Sequence, residues 1–141
     1  MRIDRAAAAL GLGVAVALGG VAVAQALAAA DDPIVVELTI RYSRFEPVLV
    51  RVPAGREVTF VIRNTDPIDH EWIVGDDAVH ERHRNGTEPV HHARPTEVTV
   101  AALEERRTTV TFSAAGSLAF ICHLPGHEAY GMVGSVAVTA P

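Results

Sequence analysis

The sequence predicts an all-β domain, either a β-sandwich or a small barrel with about eight strands. Short stretches in which apolar and polar residues alternate follow one another along most of the chain, and turn-forming residues separate them. In the first stretch Val36, Leu38 and Ile40 share one face, and Glu37 and Thr39 share the other. A period of two is typical of a strand that is buried on one side, and a helical period is nearly absent.

Each predicted strand ends at a turn or at a break in the pattern. Pro53-Ala54-Gly55 ends the second strand, and Asn64-Thr65-Asp66-Pro67 precedes the strand that begins at His70. The insert at residues 75–95 differs, because it is polar and rich in histidine, with room for a short helix over residues 78–84. The predicted strands cover residues 34–42, 48–52, 57–64, 70–74, 96–100, 107–113, 117–122 and 132–139.

Residues 1–30 have the composition of a signal peptide. Two arginines precede a long stretch of Ala, Leu, Val and Gly, and small residues before Asp31 offer cleavage sites. We therefore expect an exported protein, periplasmic or extracellular, whose mature domain covers residues 31–141. The alternative is an uncleaved segment, in which residues 6–28 anchor the domain in the membrane.

Charge and cysteine content narrow the classes of function. The chain carries 17 acidic and 12 basic residues, a net charge of −5, and every basic residue is an arginine. Such an acidic domain does not suit nucleic acid, which selects basic surfaces. The one cysteine cannot form an internal disulfide, so a thiol in an exported chain needs another explanation. Nothing in the sequence indicates an oligomer, so we expect a monomer.

That cysteine lies in the stretch Cys122-His-Leu-Pro-Gly-His127-Glu-Ala-Tyr-Gly-Met132, which combines a thiolate, an imidazole and a thioether. Thiolate and thioether favour copper, and two His and one Cys with a distant axial Met make a blue-copper electron-transfer site. Leu124-Pro-Gly-His127 suits a type II turn that returns His127 to the metal. His70 supplies the second imidazole. We therefore predict one type 1 copper held by His70, Cys122, His127 and Met132.

The same residues resemble the copper-binding loop of cupredoxins, the plastocyanin-like blue-copper proteins. Upstream, Pro53-Ala-Gly55-Arg-Glu-Val-Thr-Phe60, Asn64-Thr-Asp-Pro67 and His70 resemble the first half of that domain, so the resemblance covers residues 34–140 in the right order. It implies a Greek-key β-sandwich with type 1 copper on the four residues above. It also implies a carrier of single electrons between redox partners, cycling Cu(II) and Cu(I), rather than an enzyme.

The resemblance further implies where a redox partner docks. It implies that electrons pass through the exposed edge of the loop histidine, here His127. Four residues of the same loop then form an apolar rim around that edge: Leu124, Pro125, Ala129 and Tyr130. The net negative charge favours a partner with a basic surface.

Several charged or polar residues stand next to the predicted ligands. Glu71 occupies a position where many cupredoxins have an asparagine that ties down the cysteine loop. We expect Glu71, Asp66 and Asp69 to be solvated charges and turn formers. In multicopper oxidases the histidines on both sides of the cysteine bind further copper, but here isoleucine precedes the cysteine, so we expect His123 to face solvent.

Other functions of the same residues compete with electron transfer. A hydrolase that used Cys122 as nucleophile would leave Met132 unexplained, and structural zinc does not use a thioether. The remaining alternative is a copper-binding protein for copper storage, delivery or resistance. The histidines of the insert would then form a second, looser site, although we favour a solvated loop for them: His80, His83, His91 and His92.

Overall fold

Nine strands and one helix make up the part of the chain that a computed structural model describes, residues 32–86, 91 and 93–141. The predicted signal peptide lies outside these residues. Within them, no helix is both long enough and apolar enough to cross a membrane. The elements are β1 (Ile34–Ile40), β2 (Phe45–Glu46), β3 (Leu49–Pro53), β4 (Glu57–Asn64), β5 (His70–Gly75), α1 (Asp77–Arg84), β6 (Glu97–Val100), β7 (Glu105–Thr111), β8 (Gly116–Ile121) and β9 (Val133–Thr139).

The strands form two sheets that enclose one hydrophobic core. One sheet has the order β2-β1-β4-β7 and the other has the order β3-β9-β8-β5-β6. The core joins the two sheets through aromatic side chains: the rings of Phe60 on β4 and Trp72 on β5 are 4.7 Å apart, and both residues are fully buried. The predicted all-β sandwich is confirmed, as are the eight predicted strands, whose ends differ by one or two residues. Only the two-residue strand β2 was not predicted.

The predicted helix in the insert is also confirmed, and α1 begins with a side-chain cap. Asp76 lies just before it, and its carboxylate accepts a hydrogen bond from the backbone N–H of Val79 at 3.0 Å. The helix packs closely against the end of β5. A Cβ on Gly75, the last residue of β5, would come within 2.5 Å of the Val79 side chain. Glycine at position 75 therefore permits this close approach.

The packing of α1 corrects our expectation of a solvated loop. All six residues of β5 are buried, on both faces of the sheet. The insert histidines that the structure describes are buried too, with 2% of His80, 6% of His83 and 3% of His91 exposed. An outer layer that includes α1 and His91 thus covers the sheet where a bare sandwich would meet water.

Candidate metal centre

The predicted copper ligands meet at one end of the sandwich. His70 begins β5 and Cys122 follows the last residue of β8, so both lie on rigid strand ends. The Nδ1 atom of His127 lies 3.3 Å from Nδ1 of His70 and 3.2 Å from Sγ of Cys122. Ligands bonded to one metal at about 2.0–2.3 Å have to be about 3–4 Å apart, so these three atoms suit a shared ion.

The loop between Cys122 and Met132 is held by its own backbone. The N–H of His127 donates to the carbonyl oxygen of Leu124 at 3.0 Å, and Gly126 has φ +85°. These values confirm the predicted type II turn, whose third position favours glycine. The N–H of Met132 donates to the His127 carbonyl at 2.9 Å, and the N–H of Cys122 donates to the Met132 carbonyl at 3.2 Å. Fully buried Met132 is therefore fixed next to both other loop ligands.

Asp66 orients the imidazole of His70. Its Oδ2 lies 3.0 Å from Nε2 of His70, so Nε2 carries the proton and Nδ1 faces the site with its lone pair. The backbone N–H groups of Tyr42 and Ser43 donate to the same carboxylate at 2.7 and 2.8 Å. Burial acts to raise the pKa of Asp66, but these donors and His70 outweigh it and hold the pKa below its ordinary value. The carboxylate thus stays ionised and keeps the ligating tautomer.

The Cys122 thiol is protonated until a metal binds it. Burial raises its pKa to about 11, although the backbone N–H groups of Glu71 and Leu124 work in the opposite direction. The Glu71 N–H lies 3.3 Å from Sγ. Because the thiolate is the ligating form, metal binding at this site releases a proton near neutral pH. The N–H groups then stabilise the bound thiolate.

The side chain of Glu71 is buried, with 4% of the residue exposed, which corrects our expectation of a solvated charge. Its Oε2 accepts a hydrogen bond from the backbone N–H of His123 at 3.3 Å. This bond ties the strand that carries His70 to the cysteine loop. Glu71 thereby holds the cysteine loop in place, the role that asparagine has at this position in many cupredoxins. Asp66 is likewise buried, at 7% exposed, rather than a solvated turn former.

His123 does not face solvent, contrary to our expectation. Only 3% of its side chain is exposed, and its Nε2 lies 3.0 Å from Nδ1 of His80 on α1. Glu128, at 3.4 Å from Nδ1 of His123, also accepts a two-pronged hydrogen bond from Arg84. The helix is thus joined to the copper loop through these side chains.

The structure regroups the histidines that we had assigned to a possible second site. His83 and His91 meet, with their ring centroids 5.0 Å apart, and Glu97 lies beside them. His80 pairs with His123 instead, and His92 lies outside the described residues. We missed Glu97 and His123, because no local sequence signal connects β6 or the cysteine loop with the insert.

The donor set at the first site is specific in its chemistry. Two imidazoles, one thiolate and one thioether from buried or half-buried positions match the type 1 copper arrangement. The model of the copper-binding proteins of the plastocyanin/azurin family matches residues 35–139. The chain belongs to this family. It is a cupredoxin, and the set of His70, Cys122, His127 and Met132 is consistent with one type 1 copper.

Relatives of this cupredoxin include two bacterial copper proteins. The copper-resistant cuproprotein CopI of Rubrivivax gelatinosus is 38% identical over 98 residues, which cover 67% of this chain and 59% of that protein. CopI of Pseudomonas aeruginosa is 28% identical over 135 residues, or 73% of this chain and 75% of that one. The chain thus spans less than two thirds of the length of the Rubrivivax relative.

Solved structures agree with the fold of this cupredoxin. Auracyanin A, a blue copper protein from Chloroflexus aurantiacus, superposes with a TM-score of 0.62 at 25% identity. The match covers 77% of this chain and 100% of auracyanin A.

The buried histidines make the stability of the metal-free cupredoxin depend on pH. Burial lowers the pKa of His70 and of His80, and it lowers the pKa of His123 to about 4. The same imidazoles titrate near pH ~6.5 when unfolded, so unfolding takes up protons below that pH. We expect the free energy of unfolding to be fully retained above about pH 6.5 and to fall as the pH drops towards about 4.

Denaturant unfolding of the metal-free protein at several pH values measures this dependence. His80→Gln provides the comparison, since glutamine does not titrate and His80 is not a type 1 ligand. The variant should take up fewer protons on unfolding than the wild type. A free energy of unfolding that stays constant between about pH 6.5 and 4 would contradict this view of the buried imidazoles.

Proposed function

We propose that this cupredoxin exchanges single electrons at its type 1 copper, and that it does so outside the cytoplasm in the service of copper resistance. The environment of the copper ligands supports electron exchange, and the relatives support a role in copper resistance.

The environment of His127 is the observation that carries the activity. His70, Cys122 and Met132 are fully buried, whereas His127 is half-buried and lies at the surface of the loop. An electron therefore has a short path to a partner through one imidazole, while water and competing ligands are kept from the others. Ligands fixed by strand ends and loop hydrogen bonds also move little between Cu(II) and Cu(I), which favours fast transfer.

The surface around His127 suits a docking partner. Pro125, Ala129 and Tyr130 are exposed, Tyr130 at 73%, and Leu124 is half-buried. Two further exposed apolar side chains, Leu103 and Tyr42, lie at the same end of the sandwich, on either side of Asp66. The backbone N–H of Leu103 donates to the Asp66 carbonyl oxygen at 3.1 Å, and the N–H of Tyr42 donates to the Asp66 carboxylate at 2.7 Å. An apolar patch of this kind is typical of an interaction site. We propose that a redox partner docks here.

Leu124→Glu tests the docking surface through electron self-exchange between oxidised and reduced copies of the protein. Two copies that meet through this loop would place like charges opposite each other, so we expect self-exchange to slow by at least about tenfold. NMR line broadening in mixtures of the two redox states measures the rate. Ala129→Glu repeats the test at an exposed position, because Leu124 packs partly against the core.

Val35→Glu is the matched control for both variants. The substitution adds the same charge at an exposed position, since Val35 is 51% exposed. Val35 lies near the start of β1, where it pairs with Thr59, away from the copper loop. We expect it to leave self-exchange nearly unchanged. Equal rates in the loop variants and in Val35→Glu would overturn the proposed docking surface.

Copper resistance is the process that the relatives favour. Proteins named copper-resistant cuproprotein in Rubrivivax gelatinosus and Pseudomonas aeruginosa share this domain, although the former extends well beyond it. The apolar N-terminal sequence supports export to a compartment where copper would be met. A second candidate activity in the same process is the storage or delivery of copper without electron exchange.

Copper retention separates the two activities. The copper-loaded protein is reduced with ascorbate in the presence of a strong Cu(I) chelator and is then reoxidised. An electron carrier keeps its copper and recovers its visible absorption. A delivery protein loses Cu(I) to the chelator and stays colourless, and that result would overturn electron exchange as the activity while leaving copper resistance in place.

A further inference from the structure

A second group of potential metal ligands lies beside the type 1 site, on the outer face of the sheet that carries His70. The ligand atoms of His83, His91 and Glu97 all lie within 4.8 Å of one another, and the three residues are buried. His83 comes from α1, Glu97 begins β6, and His91 lies in the segment before that strand. Three separate parts of the chain thus bring two imidazoles and a carboxylate together away from water.

Each imidazole has one nitrogen that an oxygen atom orients. Nδ1 of His83 donates to the carbonyl oxygen of Val79 at 2.8 Å, so its Nε2 carries the lone pair. Nε2 of His91 lies 3.4 Å from Oε1 of Glu71, so that carboxylate orients the second ring. Metal-binding histidines are commonly held in this way. The arrangement repeats that of Asp66 and His70 at the type 1 site.

The Nε2 nitrogen of His83 is placed to bind a cation. Among the described residues, the buried Nε2 has no hydrogen-bond partner, and Oε2 of Glu97 lies 3.6 Å away, beyond hydrogen-bond distance. A buried polar atom without a partner is costly. Oε1 of Glu97 is held by Arg82 and Arg94 at 2.6 and 2.8 Å, so Oε2 is the oxygen that faces the cluster. One metal ion would satisfy both atoms.

We propose that His83, His91 and Glu97 bind a second metal ion, copper(II), next to the type 1 copper. Imidazole and carboxylate suit Cu(II) and Zn(II), and among divalent ions copper binds such ligands most tightly. The paired imidazoles of His80 and His123 adjoin the cluster, since the His123 ring stacks on that of His83 at 5.5 Å, and they offer a further ligand. The proposal of this second site does not depend on whether the type 1 copper exchanges electrons.

The second site is connected to the first by direct contacts. His123 follows Cys122 in the chain, and Glu71 follows His70. Glu71 contacts His91 on one side and supports the cysteine loop on the other. A metal ion in the cluster therefore lies behind the type 1 ligands, where its charge acts on their copper.

Copper titration of the purified protein tests the second site, with metal analysis, visible absorption and EPR read on the same samples. We expect two tightly held coppers, of which only one contributes thiolate absorption. The other should give a separate Cu(II) EPR signal with hyperfine coupling to imidazole nitrogen. Binding of a single copper, with no second EPR signal, would overturn the proposal, and occupancy of the cluster by zinc but not by copper would overturn the choice of ion.

His83→Gln and His91→Gln are the decisive variants. Each should reduce the stoichiometry from two coppers to one and abolish the second EPR signal. The thiolate absorption of the type 1 site should remain, which also shows that the variants have folded. If both variants keep that absorption and still bind two coppers, the second copper lies elsewhere and the proposal is wrong.

Discussion

Cys122→Ser should abolish the intense visible absorption of the copper-loaded protein. The absorption of a type 1 site arises from charge transfer between thiolate and copper, and Cys122 is the only cysteine of the chain, so no other thiol can replace it. Copper affinity at this site should fall by more than the roughly 10–100-fold that follows the loss of a residue supporting a ligand. Visible absorption and competition with a copper chelator measure the two effects.

Met132→Leu is the matched comparison for the serine variant. Leucine has nearly the volume of methionine, so the buried position stays filled. Because the axial thioether is the long, weak ligand, its loss should preserve the absorption and change mainly the reduction potential. Absorption that survives in Cys122→Ser, or that vanishes equally in both variants, would contradict the assigned roles of the two sulfur atoms.

Asp66→Asn should weaken copper binding at the type 1 site by about 10–100-fold, or about 1.4–2.7 kcal/mol. Asp66 keeps the proton of His70 on Nε2. An asparagine amide can donate to Nε2 instead, and the proton would then sit on Nδ1, the nitrogen that has to bind copper. Copper affinity measured by chelator competition, with the protein otherwise folded by circular dichroism, gives the magnitude.

Asp69→Asn is the control for the charge change. Asp69 lies on the same loop, but its carboxylate accepts a hydrogen bond from the backbone of Ala102 at 2.9 Å rather than from a ligand. Asparagine can accept the same bond. We expect at most a small change in affinity. Equal losses in the two variants would mean that the charge of the loop matters, and not the tautomer of His70.

The type 1 ligands could be predicted from the sequence because their signal is local. Cys122, His127 and Met132 lie within one loop, and a thiolate, an imidazole and a thioether at that spacing have few other uses. The turn at Gly126 could be predicted for the same reason. His70 is far away in the sequence, and its place at the site depends on the pairing of distant strands. Its position at the start of a predicted strand and the resemblance to cupredoxins both indicated it.

The burial of the residues next to the ligands could not be predicted from the sequence, because it depends on which faces of the sheet other segments cover. A period of two correctly places Glu71 on the face of β5 opposite Trp72. Whether that face meets water depends on α1 and on His91, which pack over it. The polar composition of residues 75–95 indicated a solvated loop, yet the three histidines of this insert that the structure describes are buried: His80, His83 and His91. Burial of Glu71 and His123 follows from this tertiary packing, and burial of Asp66 follows from its contacts with Tyr42, Ser43 and His70. No local pattern in the sequence indicates either.

A spectroelectrochemical titration of the copper-loaded protein tests most directly whether the type 1 copper exchanges single electrons. Thiolate absorption is recorded while the applied potential is lowered and then raised again. Our account predicts that the absorption disappears and returns along one reversible curve with the slope of a one-electron couple, about 59 mV per tenfold change in the ratio of oxidised to reduced protein. Absorption that does not return, or copper that appears in solution on reduction, would contradict it.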